Sequence, residues 1–165
     1  ITEIREKTIE LIEGLSPGTL FGLVQHSRNY DLFRDELIPA LPENKRAAID
    51  WLKSEFRTSG SSGRGWMGGE NGEPDGIQAV LQRTFKMDPD LVFLLSDASY
   101  QRTVEGGRNV PWDELNRDVH RLQQLLPRPA RIHFVGFGVD PEDARGMRRF
   151  IGRNDGVYQE YAPDP

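Results

Sequence analysis

Asp97 is the residue of this chain whose type and position most directly suggest chemistry. It follows an apolar run, Leu91 to Leu95, and a hydroxyl at Ser96. A strand that is apolar on both faces is typical of a parallel sheet covered by helices on both sides. Ligands of open α/β sheets bind beyond the carboxyl ends of such strands, so Asp97 is a candidate site residue. Asp is also common at the start of loops. The apolar run alone therefore favours a binding role and a purely structural role of Asp97 equally.

Other catalytic patterns have little support. The chain has no cysteine, and its three histidines (His26, His120 and His133) are isolated in sequence, without the spacing of metal ligands. The glycines of segment 63–68 match a dinucleotide fingerprint in spacing, but no predicted strand leads into them. The sequence also lacks a P-loop lysine and a nucleophile elbow. We therefore expect neither nucleotide binding nor serine-hydrolase chemistry.

Length and charge limit the class of protein. A chain of 165 residues fits one domain, which we place at 1–165 and which can bury about 70% of its unfolded surface. With 26 acidic and 21 basic residues the net charge is −5, which disfavours binding to nucleic acid. No apolar run approaches the ~20 residues of a membrane span, so we expect no membrane insertion by this segment. The composition does not indicate a compartment.

Hydrophobic periodicity and turn residues predict alternating helices and strands. Helices are expected over 1–13, over 44–57 with Asn44 as cap, after a cap at Asp75, after Pro111, and after a cap at Asp140. Strands are expected over 19–25, 30–38, 91–96, 131–138 and 157–161. The Gly/Ser-rich segment 58–76, which holds seven of the 17 glycines, is expected to be a flexible loop. This order predicts an α/β fold with a doubly wound, mostly parallel sheet and helices on both faces.

Four passages, taken together, resemble the von Willebrand factor A (VWA) domain, a doubly wound α/β fold. The helix 1–13 and the segment 15–24 resemble the first helix, turn and second strand of that family. LLSDA at 94–98 resembles the strand end written L-T-D-G. IHFVGFG at 132–138 is similar to I-x-x-I-G-x-G, and NDGVY at 154–158 is similar to N-G-G-x-Y. Together these passages span nearly the whole chain, and they occur in the order and with the spacing of the family.

The resemblance implies a non-catalytic protein-interaction module rather than an enzyme. The characteristic site of the family, the metal-ion-dependent adhesion site, holds Mg²⁺ or a similar cation (Mn²⁺ or Ca²⁺) with oxygens from three loops. These loops carry an Asp-x-Ser-x-Ser after the first strand, a Thr before a middle helix, and the Asp of the L-T-D-G strand. A hard cation ligated mostly by neutral hydroxyls stays electrophilic enough to accept an acidic residue of a protein partner.

Only part of that adhesion site is visible in this sequence. Asp97 matches the L-T-D-G aspartate, Ala98 replaces the following glycine, and Ser99 adds a hydroxyl nearby. At the second loop Asp75 occupies the place of the threonine and can either offer an oxygen or cap its helix. The first strand and its Asp-x-Ser-x-Ser loop would precede Ile1. We therefore expect an N-terminally incomplete sheet without its central strand, no cation bound by this chain alone, and a divalent cation in the full-length protein.

A protein partner is expected to dock along the edge where the parallel strands end. The candidate docking residues besides Asp97 are Ser27, Arg28, Ser99 and Asp140. Two alternatives remain: a metal-free scaffold domain of a larger protein, and a hydrolase or transferase that uses Asp97. The enzyme would need a second catalytic group near Asp97, and no histidine or carboxylate pair has a suitable spacing.

Overall fold

The structure is a computed structural model that describes residues 2–26, 30–55, 76–101 and 109–162. The predicted loop 58–76, apart from Gly76, lies outside these ranges, as do Ser27, Arg28 and Asp75. In the described ranges the helices are α1 (Thr2–Gly14), α2 (Pro42–Glu55), α3 (Gly76–Phe85), α4 (Trp112–Leu125) and α5 (Pro141–Arg153). The strands there are β1 (Leu20–Phe21), β2 (Val24–His26), β3 (Tyr30–Leu32), β4 (Ile38–Pro39), β5 (Leu91–Ser96), β6 (Arg131–Gly136) and β7 (Tyr158–Glu160). None of these helices combines the length and the apolar character needed to cross a bilayer.

A three-stranded parallel sheet in the order β5-β6-β7 is the centre of the fold. Its register pairs Leu91 with Arg131 at one end and Ser96 with Gly136 at the other. β7 continues the sheet beyond β6 in the same direction. Helices α4 and α5 connect the successive strands, because parallel neighbours need a crossover. The expected parallel pairing of the two apolar strands is confirmed, and the fold is mixed α/β with a small parallel sheet.

One face of this sheet packs against α3, α4 and α5. Val92 and Leu94 of β5 are buried with Ile132 and Phe134 of β6, because alternate residues of a strand point to the same face. The helices contribute apolar residues at spacings of three and four, which form a stripe on each helix. These are Ile77, Val80, Leu81, Phe85, Leu115, Val119, Met147, Phe150 and Ile151. Their burial shows that each of these helices is amphipathic and packs with its apolar stripe toward the core.

The opposite face of β5 is less covered. Phe93 is 46% exposed, and Leu91 and Leu95 are partly buried. Helix α1 contacts β5, whereas the helices of the main core pack on the side of Val92 and Leu94. The main core therefore lies on one side of the sheet.

A second apolar cluster holds the amino-terminal part of the described chain together. It contains Ile12, Phe21, Phe33, Ala40, Ala48 and Leu52. Lys45 of α2 reinforces the contact, since its Nζ donates hydrogen bonds to the carbonyl oxygens of Glu13 and Leu15 at the end of α1. Carbonyls in the last turn of a helix have no partner inside the helix, so Lys45 acts as a cap for α1.

The prediction of one buried strand over 19–25 is wrong. The chain there forms two short strands, β1 and β2, which pair antiparallel with β4 and β3. The expected strand over 30–38 is divided in the same way. Each antiparallel partner is close along the chain, so pairing closes a short loop, whereas pairing with β5 would close a long one. At the break, a Cβ on Gly22 would lie 3.1 Å from Leu37 and 3.2 Å from Met87.

The helix starts agree with the sequence in one case and differ in another. Asp140 caps α5 as expected, because its Oδ1 accepts a hydrogen bond from the N–H of Glu142 at 2.9 Å, and Pro141 begins the helix. Helix α2 begins at Pro42, before the expected Asn44 cap, since proline fits the first turn of a helix. Instead, the Nδ2 of Asn44 donates a hydrogen bond to the carbonyl oxygen of Pro39 in β4 at 2.8 Å.

Helix α5 packs so closely on Trp112 that Gly146 has no room for a side chain. A Cβ there would lie 2.2 Å from the indole Nε1, whereas a Cβ on Gly152 of the same helix would meet nothing within 4 Å. We expect Gly146→Ala to lower the free energy of unfolding by about 1–3 kcal/mol through overpacking. Gly152→Ala, the matched control, should raise it by up to about 1 kcal/mol because alanine favours the helix. Urea unfolding measures both, and equal effects would contradict this packing.

Candidate functional site

Three of the expected site residues, Asp97, Ser99 and Asp140, lie just beyond the carboxyl ends of parallel strands. β5 and β6 end side by side in register, so the chain leaves both strands at the same edge of the sheet. All three residues are exposed at this edge. Glu142 and Asp143 in the first turn of α5 follow Asp140. We call these five polar residues the rim.

A hydrogen-bonded turn fixes the position of Asp97. Its Oδ1 accepts a hydrogen bond from the backbone N–H of Ser99 at 2.9 Å. The Oγ of Ser96 accepts another from the N–H of Ala98 at 3.0 Å. Ala98 is 1% exposed and has a φ of 64°, in the left-handed region that costs a non-glycine residue about 1–2 kcal/mol. The carboxylate is therefore carried on a held, strained turn.

Tyr100 supports this turn from inside the protein. It is 7% exposed, and its hydroxyl shares a hydrogen bond of 3.0 Å with the Oγ of Ser96. Its ring lies edge-on to Trp112 and tilted against His26, each at a centroid distance of 6.2 Å. Its carbonyl accepts a hydrogen bond from the N–H of Val110 at 2.8 Å. Burial raises the pKa of Tyr100, and the hydrogen bond to Ser96 opposes that shift.

The rim is acidic, and its carboxylates act on one another. Burial raises the pKa of Asp143, and the negative charges of Asp140, Glu142 and Asp97 add to the shift. Charges near a protein surface interact appreciably only over short distances, because solvent and salt screen them. Asp97, which follows β5, and Asp143, in the first turn of α5, therefore act on one another at the same edge of the sheet. Together these charges favour a cation or a basic side chain at this edge.

The described part of the rim does not by itself supply the ligands of a cation site. Asp97 and Ser99 can each offer an oxygen. No group of three or more His, Cys, Asp or Glu side chains in the described ranges is placed to hold a metal ion. Mg²⁺ needs near-octahedral ligation by oxygens. Asp75, Ser27 and Arg28 lie outside the described residues, so their expected roles stay predictions.

Two parts of this site were not identified from the sequence. Asp143 reads as an ordinary acid in the first turn of a helix, where the helix dipole favours it. Its proximity to Asp97 comes from the register of β5 and β6, which local sequence does not specify. Tyr100 stands among polar residues in the sequence, and that setting gives no signal of its burial.

Comparisons with known proteins do not assign this chain to a family. No protein-family model matches it, and no curated protein is significantly similar to it. The resemblance to the VWA domain therefore rests on the sequence motifs alone.

We expect the chain alone to bind Mg²⁺ or Mn²⁺ no more tightly than a single exposed carboxylate does. The reason is that the described rim brings too few oxygen ligands together around Asp97. Isothermal titration calorimetry on the wild type, on Asp97→Ala and on the surface control Asp50→Ala measures this affinity. Micromolar binding that Asp97→Ala abolishes and Asp50→Ala leaves intact would contradict the expectation.

The raised pKa of Tyr100 predicts a loss of stability in alkaline solution. Tyrosine in an unfolded chain titrates near pH ~10, whereas folded Tyr100 keeps its proton to higher pH. Above that pH the unfolded state binds fewer protons than the folded state, so the free energy of unfolding falls as pH rises. Tyr158, whose pKa burial raises to about 12, contributes in the same direction.

Tyr100→Phe isolates the Tyr100 contribution. At neutral pH we expect its free energy of unfolding to be about 1 kcal/mol lower than that of the wild type, because the hydrogen bond to Ser96 is lost. Its free energy of unfolding should then decline less steeply than that of the wild type above pH ~10. Urea unfolding at a series of pH values provides the comparison, and an unchanged slope would show that Tyr100 titrates normally.

Proposed function

We propose that this chain is a non-catalytic protein-interaction module of the VWA type, whose partner docks on the rim. The observation that carries the proposal is the exposure of Asp97, Ser99 and Asp140 at the carboxyl ends of two parallel strands. In open α/β sheets this edge is where ligands bind. The hydrogen-bonded turn holds Asp97 in place before a partner arrives, which reduces the entropy lost on docking.

Backbone conformation supports the VWA resemblance. Ala98 and Asp155 have φ values of 64° and 50°, and both stand where the family patterns have glycine. Glycine adopts positive φ readily, so these positions keep the backbone shape of the pattern although the residue has changed. Gly156 matches the next glycine of N-G-G-x-Y, and a Cβ there would lie 1.7 Å from the carbonyl oxygen of Ile132.

The unpaired edge of β5 in the described chain supports a sheet with a further strand beside β5. The N–H of Arg131 donates to Asp90 and that of Phe137 donates to Ser96, so alternate peptide groups of β5 face β6. The N–H and C=O groups of Leu91, Phe93 and Leu95 point to the other edge, where no described strand pairs with them. An apolar strand with such an edge is suited to further pairing. A strand added there would make β5 an interior strand, as the VWA architecture requires.

A divalent cation enters this proposal as a bridge to the partner. Asp97 and Ser99 would supply two of its oxygens, and the remaining ligands would come from outside the described residues and from an acidic residue of the partner. Mg²⁺, Mn²⁺ and Ca²⁺ all accept oxygen ligands of this kind. The negative charge of the rim favours any of these cations.

The proposal is tested by photo-cross-linking in an extract of the source cells. One photoreactive side chain is placed at Ser99 on the rim, and a control one at exposed Lys86, between α3 and the start of β5. We expect a protein that cross-links from Ser99 and not from Lys86. The purified partner should bind the wild type, and Asp97→Asn should weaken binding by about tenfold, or about 1.4 kcal/mol.

Asp97→Asn is the suitable variant because an asparagine oxygen can still accept the hydrogen bond from Ser99 and so preserve the turn. Loss of binding then reports the charge rather than misfolding. Repeating the titration with a chelator tells whether a cation bridges the partners. A partner that binds Asp97→Asn as well as the wild type, or one that cross-links equally from Lys86, would contradict docking at the rim.

A further inference from the structure

A polar groove follows α4 from Asp113 in its first turn to Gln124 in its last turn. It runs between the outer side of α4, the segment 129–131 that leads into β6, and the end of α5. Its volume is about 980 Å³, and it is open to solvent. We call it the arginine groove, after the residues Arg117, Arg121, Arg131 and Arg153 that line it.

The arginine groove is basic although the protein is acidic. Its four arginines are accompanied by two aspartates, whereas the whole chain carries a net charge of −5. Arg117, Arg131 and Arg153 make no ion pair within the described ranges. The side chain of Arg121 is 72% exposed and forms an ion pair with Asp118, with 2.7 Å between the guanidinium nitrogen and the carboxylate oxygen. The groove therefore offers guanidinium groups that described acids do not neutralise.

Local structure explains only one of these charges. Arg153 is in the last turn of α5, where a cation complements the helix dipole. Arg117 and Arg121 are one turn apart in α4 and repel each other mildly. Arg131 begins β6 beside them and adds a third positive charge. Uncompensated positive charge gathered in a concave surface is suited to an anionic ligand.

The floor of the groove is held by Gln123. Its Nε2 donates to the carbonyl of Ala130 at 2.7 Å and to the Oδ1 of Asn154 at 3.1 Å. Its Oε1 accepts a hydrogen bond from the N–H of Ala130 at 2.8 Å. Asn154 donates in turn to the carbonyl of Phe150 at 2.8 Å. These bonds join α4, the start of β6 and the end of α5, so the groove is formed before a ligand binds.

Asn116 and two aspartates complete the polar lining of the groove. The Nδ2 of Asn116 donates to the carbonyl of Trp112 at 2.7 Å, which holds this side chain against α4. The lining aspartates, Asp113 and Asp155, would repel a continuous polyanion but leave room for separated carboxylates.

We propose that the arginine groove binds an acidic peptide segment of a partner protein. Guanidinium groups receive carboxylates in planar, bidentate pairs, which suits arginines on a preformed surface. The net charge of the chain disfavours nucleic acid as the occupant. The arginines belong to α4, the start of β6 and the end of α5, and no rim residue lines the groove, so this site does not depend on the function proposed for the rim.

Fluorescence anisotropy tests the proposal on the whole chain. The probe is a labelled peptide of alternating Glu and Gly residues, with a Gln and Gly peptide and an oligothymidylate of equal charge as comparisons. The groove variant is Arg117→Gln with Arg131→Gln. The control variant, Arg46→Gln with Arg145→Gln, removes the same charge from exposed positions outside the groove.

We expect the acidic peptide to bind, the glutamine peptide not to bind, and the groove variant to lose about tenfold in affinity. The control variant and Asp97→Asn should stay within about twofold of the wild type. Equal losses in the groove and control variants would overturn the proposal, since they would reflect overall charge. It would also be overturned by absence of peptide binding, or by oligothymidylate that binds the groove more tightly than the peptide.

Discussion

The parallel pairing of β5 with β6 is the interaction on which the other features of this protein depend. Their register buries Val92 and Leu94 against the helices of the main core. The same register ends both strands at one edge, where the charge of Asp97 acts on Asp143 in the first turn of α5. It also sets the start of β6 at the other edge, where Arg131 joins the groove beside α4. A shift of one residue would turn the buried side chains of β5 toward the opposite face and separate the rim residues.

The rim and the arginine groove carry opposite charge, and each is braced in a different way. At the carboxyl end, short side-chain bonds to the backbone hold a strained turn over buried Tyr100. At the amino end, Gln123 ties three elements into one surface that carries the arginines. An acidic rim and a basic groove on one small domain suit contacts with two separate partner segments. The rim lies where the parallel strands end, whereas Arg131 of the groove lies where β6 begins.

Much of this arrangement could be predicted from the sequence. The segments 91–96 and 131–138 predict strands of a parallel sheet, and the Asp140-Pro141 pair predicts the start of α5. The strand expected over 19–25 could not be assigned correctly, because apolar residues alone do not distinguish a parallel partner from a nearby hairpin partner. The interaction of Asp143 with Asp97 has no local sequence signal for a related reason. It is a consequence of the register between strands that are far apart in the chain, and only the three-dimensional structure reveals it.

The electrostatic interaction between Asp97 and Asp143 at the rim is the central claim, and a carboxyl titration tests it most directly. Carbon-detected nuclear magnetic resonance can follow the side-chain carboxyl of Asp143 as pH changes in the wild type, in Asp97→Asn and in Asp90→Asn. The charge of Asp97 contributes to the raised pKa of Asp143, so its removal should lower that pKa. Asp90 precedes the first residue of β5, at the end of the strand away from Asp97, and removal of its charge should leave the titration of Asp143 unchanged. An Asp143 pKa that ignores Asp97→Asn, or responds equally to both variants, would contradict the account.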